Sequence, residues 1–206
     1  MQSFKTIKGE TVFEFTEKRS KFIATLIHVE SEEEACDFIA KMRNKYWDAR
    51  HNVFAYTLSE NNLKRFSDDG EPHGTAGKPV LDVIDGAELK NVAVVVTRYF
   101  GGILLGTGGL VRAYSAAVQG AVSNAEIKTM TNCREIEIIC DYGMFDFLSN
   151  HLKDIHGGIL STDFTSEVST LAYIDELEAD SLIAKLNDVF NGKINIIKKD
   201  CKFYAI

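Results

Sequence analysis

The 206-residue chain lacks most features that assign a protein to a class on sight. No apolar run approaches the roughly 20 residues of a membrane-spanning helix. Residues 1–10 carry no apolar core of the signal-peptide kind, so the expected compartment is the cytoplasm, with no membrane partner. Four cysteines (Cys36, Cys133, Cys140 and Cys201) are scattered, with no C-x-x-C pair and no ligand-spaced histidines. That pattern argues against structural zinc and for reduced, mostly buried thiols. No H-E-x-x-H, G-x-S-x-G or kinase signature occurs, which removes the commonest hydrolase and phosphotransferase routes. No cofactor, metal or catalytic group is therefore expected. Basic surplus is missing too: the formal net charge is −7, whereas avid non-specific polyanion binders usually advertise a positive excess. There is no long linker and no low-complexity tract.

What remains is ordinary globular composition, 45% hydrophobic and 26% charged, long enough for one large or two small domains. Charge is uneven. Residues 1–125 are nearly neutral at −1, and residues 126–206 hold the other −6. Within the first part, basic residues gather locally as Lys18, Arg19 and Lys21, then Lys41, Arg43, Lys45 and Arg50, then Lys64 and Arg65. A positive patch on an otherwise acidic molecule is the outcome if these share a face with Arg98 and Arg112.

The stretch Thr97–Arg112, TRYFGGILLGTGGLVR, is the most informative segment. It sets Gly101, Gly102, Gly106, Gly108 and Gly109 between a β-branched run and a helical pattern, bracketed by Arg98 and Arg112. Glycine permits positive φ and close backbone approach. The known phosphate cradles do not fit. Gly101 and Gly106 have P-loop spacing, but Thr107 stands where the lysine belongs. Val111 occupies the third glycine position of the dinucleotide fingerprint, and no βαβ unit follows. The surviving reading is an anion received by main-chain N–H groups where a helix opens near Gly109, with Tyr99 and Phe100 stacking on a base or packing inward. The bland alternative, tight strand–helix packing, stands beside it.

Along the chain, Val12–Glu17 and Lys21–Val29 read as a hairpin around Lys18–Ser20. Ser31 with Glu34 forms a capping box, opening a helix with Ala35, Phe38, Ile39 and Met42 on one face. Strands follow at Val53–Leu58 and Lys64–Ser67, then a helix with Pro79 in its first turn. Val92–Val96 has the continuous apolar character of a strand buried on both faces. A long helix starts near Leu110, with Val111, Tyr114, Val118, Ala121 and Val122 along one side, and a break is expected around Ala125–Asn132. Beyond it the order is strand Arg134–Cys140, helix Tyr142–Lys153 ended by Gly157 and Gly158, strands Ile159–Thr165 and Val168–Ile174, helix Leu177–Phe190 and strand Ile194–Phe203. This βαββαβ order is that of a ferredoxin-like domain. The fold class is thus α+β, with domains at 1–128 and 129–206.

The loop Ser67–Lys78, SDDGEPHGTAGK, gathers Asp68, Asp69, Glu71 and His73. An acid–base or metal site is conceivable there, against the plainer reading that its polar residues cap turns and the next helix. His51 beside Arg50 reads more simply as wall or surface. His151 and His156 read as partners of a helix C-terminus, and Lys198 and Lys199 as a solvated strand edge.

Arg98-Tyr99-Phe100-Gly101-Gly102 with Leu105-Gly106 closely resembles the signature of the IMPACT/YigZ family. Asp69-Gly70-Glu71-Pro72 with Gly74-Thr75-Ala76-Gly77, Arg19-Ser20-Lys21-Phe22 and Arg50-His51-Asn52 fit the same family. The resemblance covers the first part fully, and the second part looks like the smaller domain of bacterial members. It implies a first domain like the second domain of small-subunit ribosomal protein five and a second like a ferredoxin-like domain of elongation factor G. The kinase-regulating role of eukaryotic members is not carried over directly, since it belongs with an additional N-terminal domain that is not expected here.

Together these features lead to an expected non-enzymatic regulator of translation or stress response, contacting RNA, the ribosome or a translation-factor protein. The expected binding set is Arg98, Tyr99, Gly101, Gly102, Gly106, Gly108, Gly109 and Arg112, joined by Arg19, Lys21, Arg50, His73 and Lys78. The rival is an enzyme for a small phosphorylated or peptide-like substrate at the same loop, using Asp68, Asp69, Glu71 and His73.

Overall fold

The computed structural model describes residues 3–153 and 155–206; residues 1 and 2 of the first expected domain lie outside them. The chain divides into two compact units, Phe4–Lys128 and one built on Thr129–Ile206. The first contains β1 (Ser3–Ile7), β2 (Glu10–Glu17), β3 (Ser20–His28), α1 (Glu32–Lys45), β4 (His51–Thr57), β5 (Lys64–Ser67), α2 (Gly77–Gly86), β6 (Val92–Tyr99) and α3 (Thr107–Asn124). Its sheet runs β2-β3-β6-β4-β5, antiparallel at every pair.

Period-two alternation makes this unit three-layered. Val92, Val94 and Val96 of β6 join Phe22, Leu26, Val53 and Ala55 in a core with α2 and α3. Ala93 and Val95 face the other way, into a second core with Phe38, Ile39 and Met42 of α1. The central strand is apolar throughout because both its faces are covered. The Ser31 hydroxyl accepts the Glu34 N–H at 3.1 Å and the Glu34 carboxylate accepts the Glu30 N–H at 2.8 Å, so α1 begins at its expected cap. Lys18 and Arg19 both take positive φ, 45° and 66°, and Glu17 pairs with Ser20. This is a two-residue turn whose twist matches its strands.

The second unit contains β7 (Ile127–Cys140), α4 (Tyr142–Leu152), β8 (Gly157–Phe164), β9 (Val168–Asp175), α5 (Glu176–Val189) and β10 (Asn195–Ala205). Its strand order β10-β7-β9-β8, all antiparallel, is the ferredoxin-like arrangement. Ile136, Ile138, Val168 and Ala172 share one core with Leu148 of α4 and Leu186 of α5.

Several expectations need correction. The break at Ala125–Asn132 is far shorter, because β7 already starts at Ile127. Val111 is exposed, and the inward face of α3 is Leu110, Ala113, Tyr114, Ala117, Val118 and Ala121. Gly157 and Gly158 do not end α4; they open β8, where a Cβ on Gly157 would stand 2.0 Å from the Tyr173 carbonyl oxygen. His156 meets Glu178 across 3.0 Å rather than a helix end. Of the thiols, Cys133 and Cys140 are buried, Cys201 is half-buried and Cys36 is exposed.

Candidate functional site

The site lies where the central strand β6 ends and the glycine segment leads into α3. Strand alternation sends Arg98 to the α2/α3 side, in line with Val92, Val94 and Val96, between Phe22 of β3 and His51 of β4. It is buried, 5% exposed. Its Nη1 donates to Glu71 Oε1 at 2.5 Å, and its guanidinium lies 5.6 Å from the ring centres of both Phe22 and Phe100. The Tyr114 hydroxyl donates to the same Glu71 oxygen at 2.8 Å; burial first, then the Glu71 charge, push its pKa far above the ordinary phenol value. Arg98 is thus a structural cation inside a buried pair, not an exposed phosphate contact. Taking both charges out of water is tolerable only because each has a hydrogen-bonding partner of opposite sign.

The acidic loop is equally engaged. Asp68 accepts N–H bonds from Gly74, Ala76 and Gly77 at 2.9, 3.1 and 2.8 Å. Burial raises its pKa, but those three donors outweigh burial and hold it below the ordinary carboxylate value. Asp69 accepts the Asn52 N–H at 2.6 Å and meets Arg43 at 3.0 Å. His73 is fully exposed, 3.7 Å from Asp68. The plainer reading therefore fits Asp68, which caps the turn and the start of α2. No cluster of three or more His, Cys, Asp or Glu side chains able to hold a metal ion occurs among the described residues.

The glycines divide by role. Gly101 is packing: a Cβ there would lie 2.0 Å from the backbone carbon and oxygen of Arg19, and its N–H donates to Ser20 Oγ at 3.2 Å. Gly102 and Gly106 need positive φ, 83° and 70°. Gly106 caps α3 with no side-chain acceptor, so the first-turn amides at Thr107, Gly108 and Gly109 remain open and carry the positive end of the helix dipole. Beside and between these glycines the chain exposes Phe100, Ile103 and Leu104, the last 82% exposed.

Two depressions flank this loop, and Leu105 lines both. The larger, about 410 Å³ in volume, has Arg50, His51, Glu71 and Arg98 on its polar side. Phe100, Leu104, Leu110 and Pro72 form its apolar side, and Gly106 and Thr107 bring the start of α3 to it. Arg50 has no ion pair among the described residues and stacks 5.5 Å from the Phe100 ring centre. The smaller depression, about 260 Å³, is lined by Glu17 and Lys18 of the hairpin with Gly109 and Arg112 of α3. Lys18, Arg19 and Arg112 are exposed and enter no ion pair among the described residues.

Of the expected binding residues, the structure gathers Arg19, Arg50, Arg112, Gly106, Gly108 and Gly109 around the loop. It draws others away. Tyr99 donates to Asp48 at 2.8 Å, Lys21 pairs with Glu14 at 2.8 Å, and Lys78 pairs with Asp82 within α2. His51 is more than wall or surface. Its Nδ1 lies 2.7 Å from the Asp69 carbonyl oxygen, which can only accept, so Nδ1 carries the proton and Nε2 is left 3.8 Å from Glu71 Oε1. The Arg50-His51-Asn52 segment, one of those carrying the family resemblance, is the signal in the sequence that points to it.

A three-layer antiparallel α+β unit with a glycine loop between its central strand and its last helix, followed by a ferredoxin-like unit, defines the class. The model of the Impact N-terminal domain matches residues 18–122, and that of a domain of unknown function, DUF1949, matches residues 138–193. The chain is similar to IMPACT family member YvyE of Bacillus subtilis, 34% identical over 95% of this chain and 91% of that protein. Protein IMPACT of Rattus norvegicus is 37% identical over 44% of this chain and 30% of its own length. A crystal structure described as that of a hypothetical protein aligns with a TM-score of 0.64 at 32% identity, covering 97% and 98% of the two chains. The chain belongs to the IMPACT family. No helix among the described residues is long and apolar enough to cross a membrane.

Proposed function

We propose that this protein is a cytoplasmic, non-enzymatic regulator of translation that contacts RNA through the cationic rim of the glycine loop. One observation carries the reading. Several basic residues of the first unit are held in ion pairs: Lys21 by Glu14, Arg43 by Asp69, Lys64 by Asp85, Lys78 by Asp82 and Arg98 by Glu71. Lys18, Arg19, Arg50 and Arg112, which border the loop, are left without a carboxylate partner among the described residues. They stand beside the open amides of α3 and exposed apolar side chains. Cations alternating with exposed aromatic and aliphatic groups suit a single strand, whose backbone is anionic and whose bases stack. The enzymatic alternative loses support, because Asp68, Asp69 and Glu71 are each held within the fold.

The test is a titration of the whole protein with single-stranded RNA and with ribosomal subunits at two salt concentrations. Three or four phosphate contacts give a log–log salt slope of about −2 to −3, hence a loss of roughly 20- to 50-fold between 50 and 200 mM salt. Combined Lys18→Ala, Arg19→Ala and Arg112→Ala substitution flattens that slope. Absence of binding at 50 mM salt, or binding indifferent to salt and to the triple substitution, rules the reading out.

A further inference from the structure

A further cleft, about 440 Å³ in volume, lies between α1 and the β4–β5 side of the first sheet. It shares no lining residue with the two depressions beside the glycine loop. Its walls are apolar: Ile39 and Ala40 come from α1, and Phe54 and Tyr56 of β4 stack with ring centres 6.4 Å apart. The charged groups that line it are both cations, Arg43 and Arg65. Arg43 lies 5.6 Å from the Phe54 ring centre and pairs with Asp69. Arg65 is exposed and has no carboxylate partner among the described residues; its Nη1 donates to the Lys64 carbonyl oxygen at 3.3 Å.

The cleft opens beside unpaired backbone. β5 ends the strand order β2-β3-β6-β4-β5, so one of its sides has no neighbouring strand. The Leu58 N–H donates to the Leu63 carbonyl at 2.8 Å where β4 turns into β5. In the observed register the ladder bonds therefore fall at Tyr56–Arg65 and Phe54–Ser67, and the backbone groups of Lys64 and Phe66 point outward. Among the described residues, only the Lys64 carbonyl of those four groups has a partner, the Arg65 guanidinium. A short edge strand carrying Lys64 and Arg65 is a usual guard against pairing with another copy. Guarding does not require an apolar cleft alongside. Arg65 pairs with Tyr56, which belongs to the α1-side core, so both lie on the face where the cleft is. Every second side chain of a strand added to β5 would point to that same face.

We propose that this edge binds an extended acidic segment of a partner protein as an added strand. One aromatic or aliphatic side chain of the segment enters the cleft, and a carboxylate two residues away meets Arg65. Backbone bonds at Lys64 and Phe66 supply affinity, and the alternate side chains supply selectivity. The four residues of β5 span about 13 Å, so the recognised segment is about four to six residues long. Acidic character follows from a lining that carries two cations and no anion. This surface uses none of Lys18, Arg19 and Arg112 and does not rest on the RNA reading.

The probe is a positional-scanning library of acetylated, amidated heptapeptides screened against the full chain. Selection is expected for Asp or Glu at one position and for a large apolar residue two positions away. Methylating the backbone nitrogens of the selected peptide one at a time should weaken binding at least ten-fold at alternate positions and less than two-fold at those between, the signature of a ladder. Arg65→Glu, at an exposed position, should weaken that peptide at least ten-fold and turn the selection toward Lys or Arg, with circular dichroism verifying the fold. Bound peptide should also slow alkylation of Cys36, the exposed thiol on the α1 wall, read by mass spectrometry. Absence of selection, selection without an acidic position, tolerance of methylation at every nitrogen, or indifference to Arg65→Glu overturns the proposal. RNA protecting Cys36 while no peptide is selected overturns it in favour of nucleic acid. The variant lacking Lys18, Arg19 and Arg112 should bind the peptide as the native chain does, so the RNA reading and this one fail separately.

Discussion

Arg98→Ala separates a structural arginine from a ligand-binding one. The substitution leaves the Glu71 carboxylate, whose side chain is 4% exposed, with only the Tyr114 hydroxyl and a His51 ring nitrogen nearby. Removing one member of a buried pair costs about 3–5 kcal/mol, because the other charge stays desolvated and uncompensated. Loss of the guanidinium also opens a gap between Phe22 and Phe100. For a unit of about 125 residues, each kcal/mol lowers Tm by roughly 3–5 °C, so a fall on the order of 10–20 °C is expected. Scanning calorimetry of the whole chain measures it, with the Phe4–Lys128 transition identified by its shift. The double variant Arg98→Met with Glu71→Gln removes both charges, while the introduced amide oxygen still accepts from Tyr114, and it should recover most of the loss. The reasoning fails if Arg98→Ala melts within about 3 °C of the native protein yet no longer binds RNA.

The remaining predictions concern the glycines and Asp68. Gly101→Ala places a methyl group 2.0 Å from the Arg19 backbone and should destabilise by more than about 3 kcal/mol, read as a lost or strongly lowered calorimetric transition. Gly108→Ala meets only Arg112 Nη1 at 3.6 Å and should stabilise α3 by about 0.5–1 kcal/mol; a drop in Tm would contradict the assigned helical geometry. Because the folded Asp68 pKa is depressed, its contribution is fully present above the unfolded value near 4 and fades as pH falls through the lower folded value. Urea unfolding between about pH 5 and 2 should therefore show a shallower acid loss for Asp68→Asn than for the native chain.

Much of the architecture is legible in local pattern. The Ser31–Glu34 box, the apolar face Ala35-Phe38-Ile39-Met42 and the β-branched run Val92–Val96 each satisfy a rule whose period or cap lies within a few residues. The site is harder to read because its decisive contacts are distant in sequence. Arg98 resembles an exposed phosphate ligand beside its glycines, yet its partner Glu71 comes from a loop 27 residues earlier. One signal is present: a strand apolar on both faces is central, and a residue that continues it is buried with it. Gly157 resembles a helix stop for the same reason, since the Tyr173 carbonyl that excludes a side chain belongs to another strand. β1 escapes notice because five residues with mixed polarity carry no clear alternation. Periodicity places Tyr114 on the inner side of α3, but it gives no information about what the hydroxyl meets.

The glycine segment is held at Gly101 and Gly106, with Leu105 seated in the core beside the second post and residues 102–104 spanning the surface. Gly101 is wedged against the hairpin tip, and Gly106 begins the regular hydrogen bonding of α3 by accepting the Leu110 N–H at 2.9 Å. Neither post can slide without unseating a strand or a helix, so the four intervening residues form a span of fixed anchorage. Extra residues inserted there would bulge outward and leave the scaffold in register. That makes Ile103–Leu104 a natural point for grafting a reporter or an affinity peptide.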